Sequence, residues 1–205
     1  MQRIGLMGGS FNPIHSGHIH LARTALCGGY VDRVLFLPTG NPPHKHDGLA
    51  DKLHRLAMVE LAIAKEADMQ ASREEIDREG VIYTVDTLTR LSGSMTDCRL
   101  VYLIGSDTLR VLHTWRRPED VIRLCSFLVV MRPGETRQEV DALLAAWRAK
   151  GAQMELMPAD EMDISSTDVR RMAAQGLSLA HCVPQEVEAY IRRHGLYGSA
   201  EDGCR

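Results

Sequence analysis

Aromatic side chains are scarce in this chain, with three phenylalanines, two tryptophans and five tyrosines among 205 residues, so each tryptophan calls for a reason. No charge of one sign dominates: 24 Lys+Arg against 27 Asp+Glu leave a formal charge of −3. That balance removes the basic excess of a nucleic-acid or membrane-surface binder and favours a small-molecule substrate. The longest apolar runs, such as Phe127 to Met131, are far too short to cross a bilayer. Met1 leads straight into the fold with no basic stretch and apolar signal segment behind it. The five cysteines (27, 98, 125, 182 and 204) are odd in number and scattered, which argues against a disulfide framework and for a reducing, cytoplasmic setting. Cys27, Cys98 and Cys125 flank apolar segments and are expected to be buried packing residues. Metal motifs of the Cys-x-x-Cys or His-Glu-x-x-His kind are missing, as are the Gly-x-x-x-x-Gly-Lys-Ser/Thr and Gly-x-Gly-x-x-Gly phosphate loops. No linker, repeat or low-complexity tract divides residues 1–205, so one domain is expected.

What is present alternates between short β-rich runs and helical patterns. Ile4 to Met7 precedes a helix opening at Ser16, whose Ile19, Ala22 and Leu26 share a face. Val34 to Leu37 precedes a helix from about Asp51 to Ala64. A weaker strand at Met69 to Ser72 and a helix at Thr84 to Leu91 follow. Leu100-Val101-Tyr102-Leu103-Ile104 is an unbroken apolar run of the kind buried on both faces, with Ser126 to Met131 as its neighbour. Helices at Thr136 to Lys150, Ser166 to Gln175 and Gln185 to His194 close the chain, the last ended by Gly195. This order predicts an α/β, doubly wound, Rossmann-like domain with a central parallel sheet and the last helices packed on it. Such sheets place ligands beyond the carboxyl ends of their strands, where strand order reverses.

The loops at that end carry the chemistry. Gly8-Gly9-Ser10-Phe11-Asn12-Pro13-Ile14-His15-Ser16-Gly17-His18 joins the first strand to a helix start through a glycine-rich turn with two histidines. An anion lodged there meets free backbone N–H groups and the positive helix end, and imidazoles three residues apart can both face one phosphate. Ser16 reads as the helix N-cap. His20, a little further on, reads as a solvated or capping residue. Asp107 in Gly105-Ser106-Asp107 is placed to accept from ribose hydroxyls or to cap the next short helix, and both roles are compatible. Ile164-Ser165-Ser166-Thr167-Asp168-Val169-Arg170 offers hydroxyls, a helix start and, in Arg170, a forked and permanently charged donor. The charge run Arg73 to Glu79 reads as a solvated loop, and Trp147 as a core residue of an amphipathic helix.

From Ile4 to Tyr197 these motifs resemble the nucleotidylyltransferase superfamily. The intermediate segments Pro38-Thr39-Gly40-Asn41-Pro42-Pro43-His44-Lys45, Tyr83-Thr84-Val85-Asp86-Thr87-Leu88 and Gly105-x-Asp107 followed by Trp115 narrow the likeness to the bacterial nicotinate mononucleotide adenylyltransferases. The resemblance implies that ATP and nicotinate mononucleotide react by direct attack on the α-phosphorus, giving nicotinate adenine dinucleotide and pyrophosphate in NAD biosynthesis. It implies ATP contacts at Gly9, Ser10, Phe11, His15, His18, Lys45, Gly105, Asp107, Ser166 and Arg170, with His15, His18 and Arg170 catalytic. Lys45 has a solvated loop lysine as its alternative. The resemblance places the pyridine nucleotide at Thr84, Val85, Trp115 and Arg116, and Trp115 stands in a polar segment with no obvious core to enter. Mg²⁺ is implied as the companion of ATP, held by phosphate oxygens and water rather than by a protein metal site. Asn12 stands where the family often has Asp, and Ile82 where Ser often precedes Tyr-Thr. The rival readings are another member such as phosphopantetheine adenylyltransferase or a cytidylyltransferase, and a non-catalytic adenine-nucleotide sensor. Monomer and homo-oligomer both remain open, as does the preference for the acid over the amide mononucleotide.

Overall fold

Alternate residues along the strands point to opposite faces, and that periodicity builds the molecule. In β1 (Gln2–Gly9) Ile4 and Leu6 enter one apolar cluster while Met7 enters another; in β4 (Cys98–Gly105) Leu100, Tyr102 and Ile104 part in the same way from Val101 and Leu103. The computed structural model describes residues 1–41, 48–160, 162 and 164–198. With β2 (Arg33–Pro38), β3 (Met69–Ala71), β5 (Ser126–Val130) and β6 (Met154–Leu156), the strands form one six-stranded sheet in the order β3-β2-β1-β4-β5-β6. Every pairing in it is parallel.

Residues of α1 (Ser16–Cys27), α2 (Lys52–Ile63), α7 (Ser166–Ala174) and α8 (Gln185–Arg193) belong to one cluster. Those of α3 (Thr84–Ser94), α4 (Ser106–Val111), α5 (Pro118–Leu124) and α6 (Arg137–Arg148) belong to the other, where Trp147 is buried as expected. The sheet is therefore wound on both faces. Its order reverses between β1 and β4, so the switch point lies where Gly8-Gly9 and Gly105 end their strands.

Several boundaries differ from the sequence expectation. His15, in an extended conformation (φ −141°), is the N-cap of α1 in place of Ser16, because its carbonyl already accepts from the amides of His18 and Ile19. Asp51 and Thr136 cap α2 and α6 with their side chains. Gly105 caps α4, which leaves Asp107 inside the first turn. Strand β6 and helix α5 were not expected: the first is three residues long, and the second is a short segment led by Pro118 at its first position. Cys125 is buried, but Cys27 ends α1 on the surface and Cys98 is only half-buried. Among the described residues no helix is long and apolar enough to cross a membrane.

Candidate active site

The turn after β1 is held by bonds to distant parts of the chain. Phe11 takes a left-handed backbone (φ 45°), a conformation that costs a bulky residue roughly 1–3 kcal/mol unless its surroundings enforce it. They do so here: the ring is 2% exposed and meets His18 edge-on at 5.1 Å and Phe36 at 5.7 Å. The buried guanidinium of Arg55 donates to the carbonyls of Ser10 (2.6 Å), Thr39 (2.6 Å), Gly40 (3.2 Å) and Ala50 (3.0 Å), tying the first loop to the second. Asn12 explains its departure from Asp. Its Nδ2 donates to the Gly48 carbonyl at 3.0 Å, while its Oδ1 accepts from Ala50 N (3.0 Å) and the Tyr197 hydroxyl (2.8 Å). A carboxylate has no proton for the Gly48 carbonyl.

The two end motifs meet directly. Arg170 Nη1 donates to the Asn12 carbonyl at 2.9 Å, and Ser166 Oγ donates to the Pro13 carbonyl at 2.9 Å. Arg170 also reaches Thr167 Oγ1 at 3.3 Å, so the guanidinium is oriented with further N–H groups to offer. Ser166 has committed its one hydroxyl proton, which leaves the backbone N–H groups at the start of α7 as the donors for an anion there.

His15 and His18 stack with ring centroids 3.7 Å apart. The His15 amide donates to His18 Nδ1 at 3.2 Å, which fixes the proton of a neutral His18 on Nε2 and makes that nitrogen a donor. Burial, and then the charge of Arg132, push His15 down to about 4. His18 is held well below its ordinary value by burial, by His15 and by Arg132. Both imidazoles are thus neutral in the free protein near pH 7.

A cleft of about 340 Å³ opens here, walled by His15, His18, Gly105, Arg132, Ser165 and Ser166, with Met131, Met162 and Ile164 as its apolar side. Gly9 ends β1 beside it, Ser10 is exposed at the turn and Phe11 backs His18. Asp107 is exposed and pairs with Arg132 Nε at 3.1 Å. Arg132 was missed in the sequence reading. It lies two residues past the end of β5, at the sheet end where ligands are sought, and its amide donates to Ser106 Oγ at 2.9 Å. His20 also differs from expectation: it lines the cleft, and its Nε2 is buried with no hydrogen-bond partner among the described residues. Lys45 lies outside the described residues.

The other expected contacts stand apart from this cleft. Thr84 and Val85 open α3 behind Tyr83, and Arg116 lies over the Tyr83 ring at 4.6 Å. Trp115 does have a core to lean on: it is half-buried and meets Tyr102 edge-to-face at 5.8 Å. The Tyr102 hydroxyl presses on Gly8 so closely that a Cβ there would lie 2.0 Å from it. Gly8 therefore serves close packing between the two halves.

A family model described as cytidylyltransferase-like matches residues 6–172. The probable nicotinate-nucleotide adenylyltransferase of Neisseria meningitidis serogroup B is 41% identical over 201 residues, covering 96% of this chain and 99% of the relative. That of Thermomicrobium roseum is 39% identical over 98% of this chain and 94% of its own. A solved Plasmodium falciparum nicotinic acid mononucleotide adenylyltransferase complexed with NaAD superposes with a TM-score of 0.79 at 16% identity, covering 96% of this chain and 98% of that one; at that identity the likeness speaks for the fold. With the family model matching most of its length and these relatives nearly all of it, the chain belongs to the cytidylyltransferase-like family, in its nicotinate-nucleotide adenylyltransferase branch.

Proposed function

We infer that the protein transfers the adenylyl group of ATP to nicotinate mononucleotide. A phosphate oxygen of the mononucleotide forms a bond to the α-phosphorus, the bond from that phosphorus to the bridging oxygen breaks, and pyrophosphate leaves with the electron pair. The acceptor is already an anion, so no enzyme nucleophile is required. The protein has to orient two anions and neutralise them, and orientation alone can supply as much as ~7–11 kcal/mol. The observation that carries this reading is the seating of Ser166 and Arg170 on the carbonyls of Pro13 and Asn12, beside two neutral imidazoles.

In this reading His18 Nε2–H points to the α-phosphate oxygens, where charge grows in the transition state. Arg170 and the start of α7 hold the leaving pyrophosphate, while Arg132 and Asp107 border the nucleoside. Trp115 stacks on the pyridine ring, and the amides of Val85 and Arg116 receive its carboxylate, with Thr84 nearby. Among the described residues no cluster of three or more His, Cys, Asp or Glu is arranged to hold a metal. The donors at the cleft suit phosphate oxygens, so Mg²⁺ would arrive on the triphosphate, held by it and by water, and would supply charge neutralisation. We place the protein in the cytoplasm as one domain, where Cys27, Cys98, Cys125 and Cys182, all free, stay reduced.

The test is pyrophosphate release from purified protein. Release is expected only when ATP and nicotinate mononucleotide are both present. Release with phosphopantetheine, or with CTP in place of ATP, would move the protein to another branch; nucleotide binding without turnover would make it a sensor.

A further inference from the structure

The charge run after β3 is not a solvated loop throughout. Ile76 is 1% exposed and Glu75 only 8%. Glu75 Oε1 accepts from Thr87 Oγ1 at 2.9 Å, and Thr87 is itself buried, three residues after Thr84 on α3. Contacts from two helices and the loop after β2 pin the turn in place. Lys52 Nζ of α2 donates to the Ile76 carbonyl at 2.6 Å, Glu74 pairs with Arg90 of α3, and a Cβ on Gly40 would lie 2.0 Å from the Glu75 carbonyl oxygen. The Glu75 carboxyl is faced by Arg55 from α2, by Glu74 and Arg78 from its own turn, and by Tyr102 from β4. Burial pushes it up to about 7, against the Thr87 hydrogen bond and the charges of Arg78 and Arg55.

We propose that Glu75 is a specificity-determining residue for the acceptor: its carboxyl, bonded to Thr87 beneath the opening turns of α3, sets how strongly that helix end favours an acid over an amide on the pyridine ring. The inference rests on the acceptor site read above. The start of α3 bears partial positive charge from its unpaired N–H groups. With Glu75 protonated, Asp86 is the one acidic residue in the first turn of α3, common to both substrates, and a substrate carboxylate is held against the helix start. With Glu75 ionised, a fixed negative charge sits roughly one helical turn (~5 Å) further along and repels a second carboxylate, leaving a neutral carboxamide almost unaffected. In a part-buried setting the difference amounts to about tenfold in relative specificity.

The experiment is the ratio of kcat/KM for nicotinate and nicotinamide mononucleotides across the neutral pH range. Ionisations common to both assays, those of the substrate phosphate, ATP, His15 and His18, cancel in that ratio. The wild-type ratio should fall about tenfold as pH rises through the Glu75 titration. Glu75→Gln, which keeps an acceptor for Thr87, should hold the low-pH ratio throughout. Thr87→Val removes the bond that favours the charged carboxylate and should move the midpoint to higher pH. A flat wild-type ratio with brisk turnover overturns the inference alone, as does a Glu75→Gln ratio that falls in parallel with wild type. Turnover of neither mononucleotide overturns the acceptor reading and this inference with it.

Discussion

The half of the site proposed for the phosphates and the half proposed for the pyridine ring are built to different tolerances. Around the first turn, Arg55 binds four carbonyls, Asn12 joins three segments, and Arg170 and Ser166 arrive from the far end of the chain already bonded. Around the proposed pyridine side, Trp115 is half-buried on one edge contact and Arg116 is exposed over a tyrosine ring. The difference follows the work proposed for each half. Donors that meet charge growing in a transition state gain most when fixed beforehand, because they then need no reorganisation during the reaction. A stacking ring gains mainly from area, which tolerates movement.

The sharpest way to break the contrast is Arg55→Ala. It strands four carbonyls of the two phosphate-side loops, and unfolding by denaturant should show a loss of about 3–5 kcal/mol, with activity falling in step. His18→Ala removes the Nε2 donor together with the acceptor of the His15 amide and the ring beside Phe11, but leaves the Arg55 bonds to the two loops in place. It should lower kcat by about 10²–10³ while ATP affinity changes little; equal losses in both would mean that His18 serves ground-state binding. The pH dependence of stability comes next. His15 ordinarily titrates at 6.5 and is held at about 4 in the folded protein, so between those values the unfolded chain binds the extra proton. Its contribution is complete above 6.5 and is lost as pH falls towards 4, up to about 3 kcal/mol. Denaturant titrations of wild type and His15→Gln at neutral and acid pH check this: the variant should lose distinctly less. Trp115→Ala, on the looser half, should raise the KM for the pyridine nucleotide by about tenfold and leave kcat nearly unchanged. An unaltered KM would remove Trp115 from the acceptor site.

The sheet was legible because β4 and its neighbours are unbroken apolar runs, buried on both faces through their middles, and the end motifs because glycine, histidine and serine at strand–helix junctions have few structural reasons to coincide. What escaped were residues whose environment is made by other parts of the chain. Glu75 sits in a run of charges, and only the approach of α2, α3 and Gly40 buries it. Arg132 looks like any surface arginine before Pro133; its position just past the end of β5 was the available signal, since the same rule had directed attention to the other strand ends. His20 lies two residues past His18, and its place in the cleft follows from how α1 packs against the loop before α7, which local pattern does not encode. Trp115 was read from its polar neighbours in sequence, whereas its support comes from Tyr102 on β4.

The seam between Asn12 and Arg170, with Tyr197 on the same asparagine, also orders events in time. Asn12 and Tyr197 are 185 positions apart, so a ribosome delivers one side of this junction long before the other. Until α7 has emerged, the nascent chain holds its imidazoles beside a turn with neither Ser166 nor Arg170 to seat on it. Turnover should therefore switch on abruptly during synthesis, once α7 has emerged, sparing the growing polypeptide from consuming ATP before the junction is made.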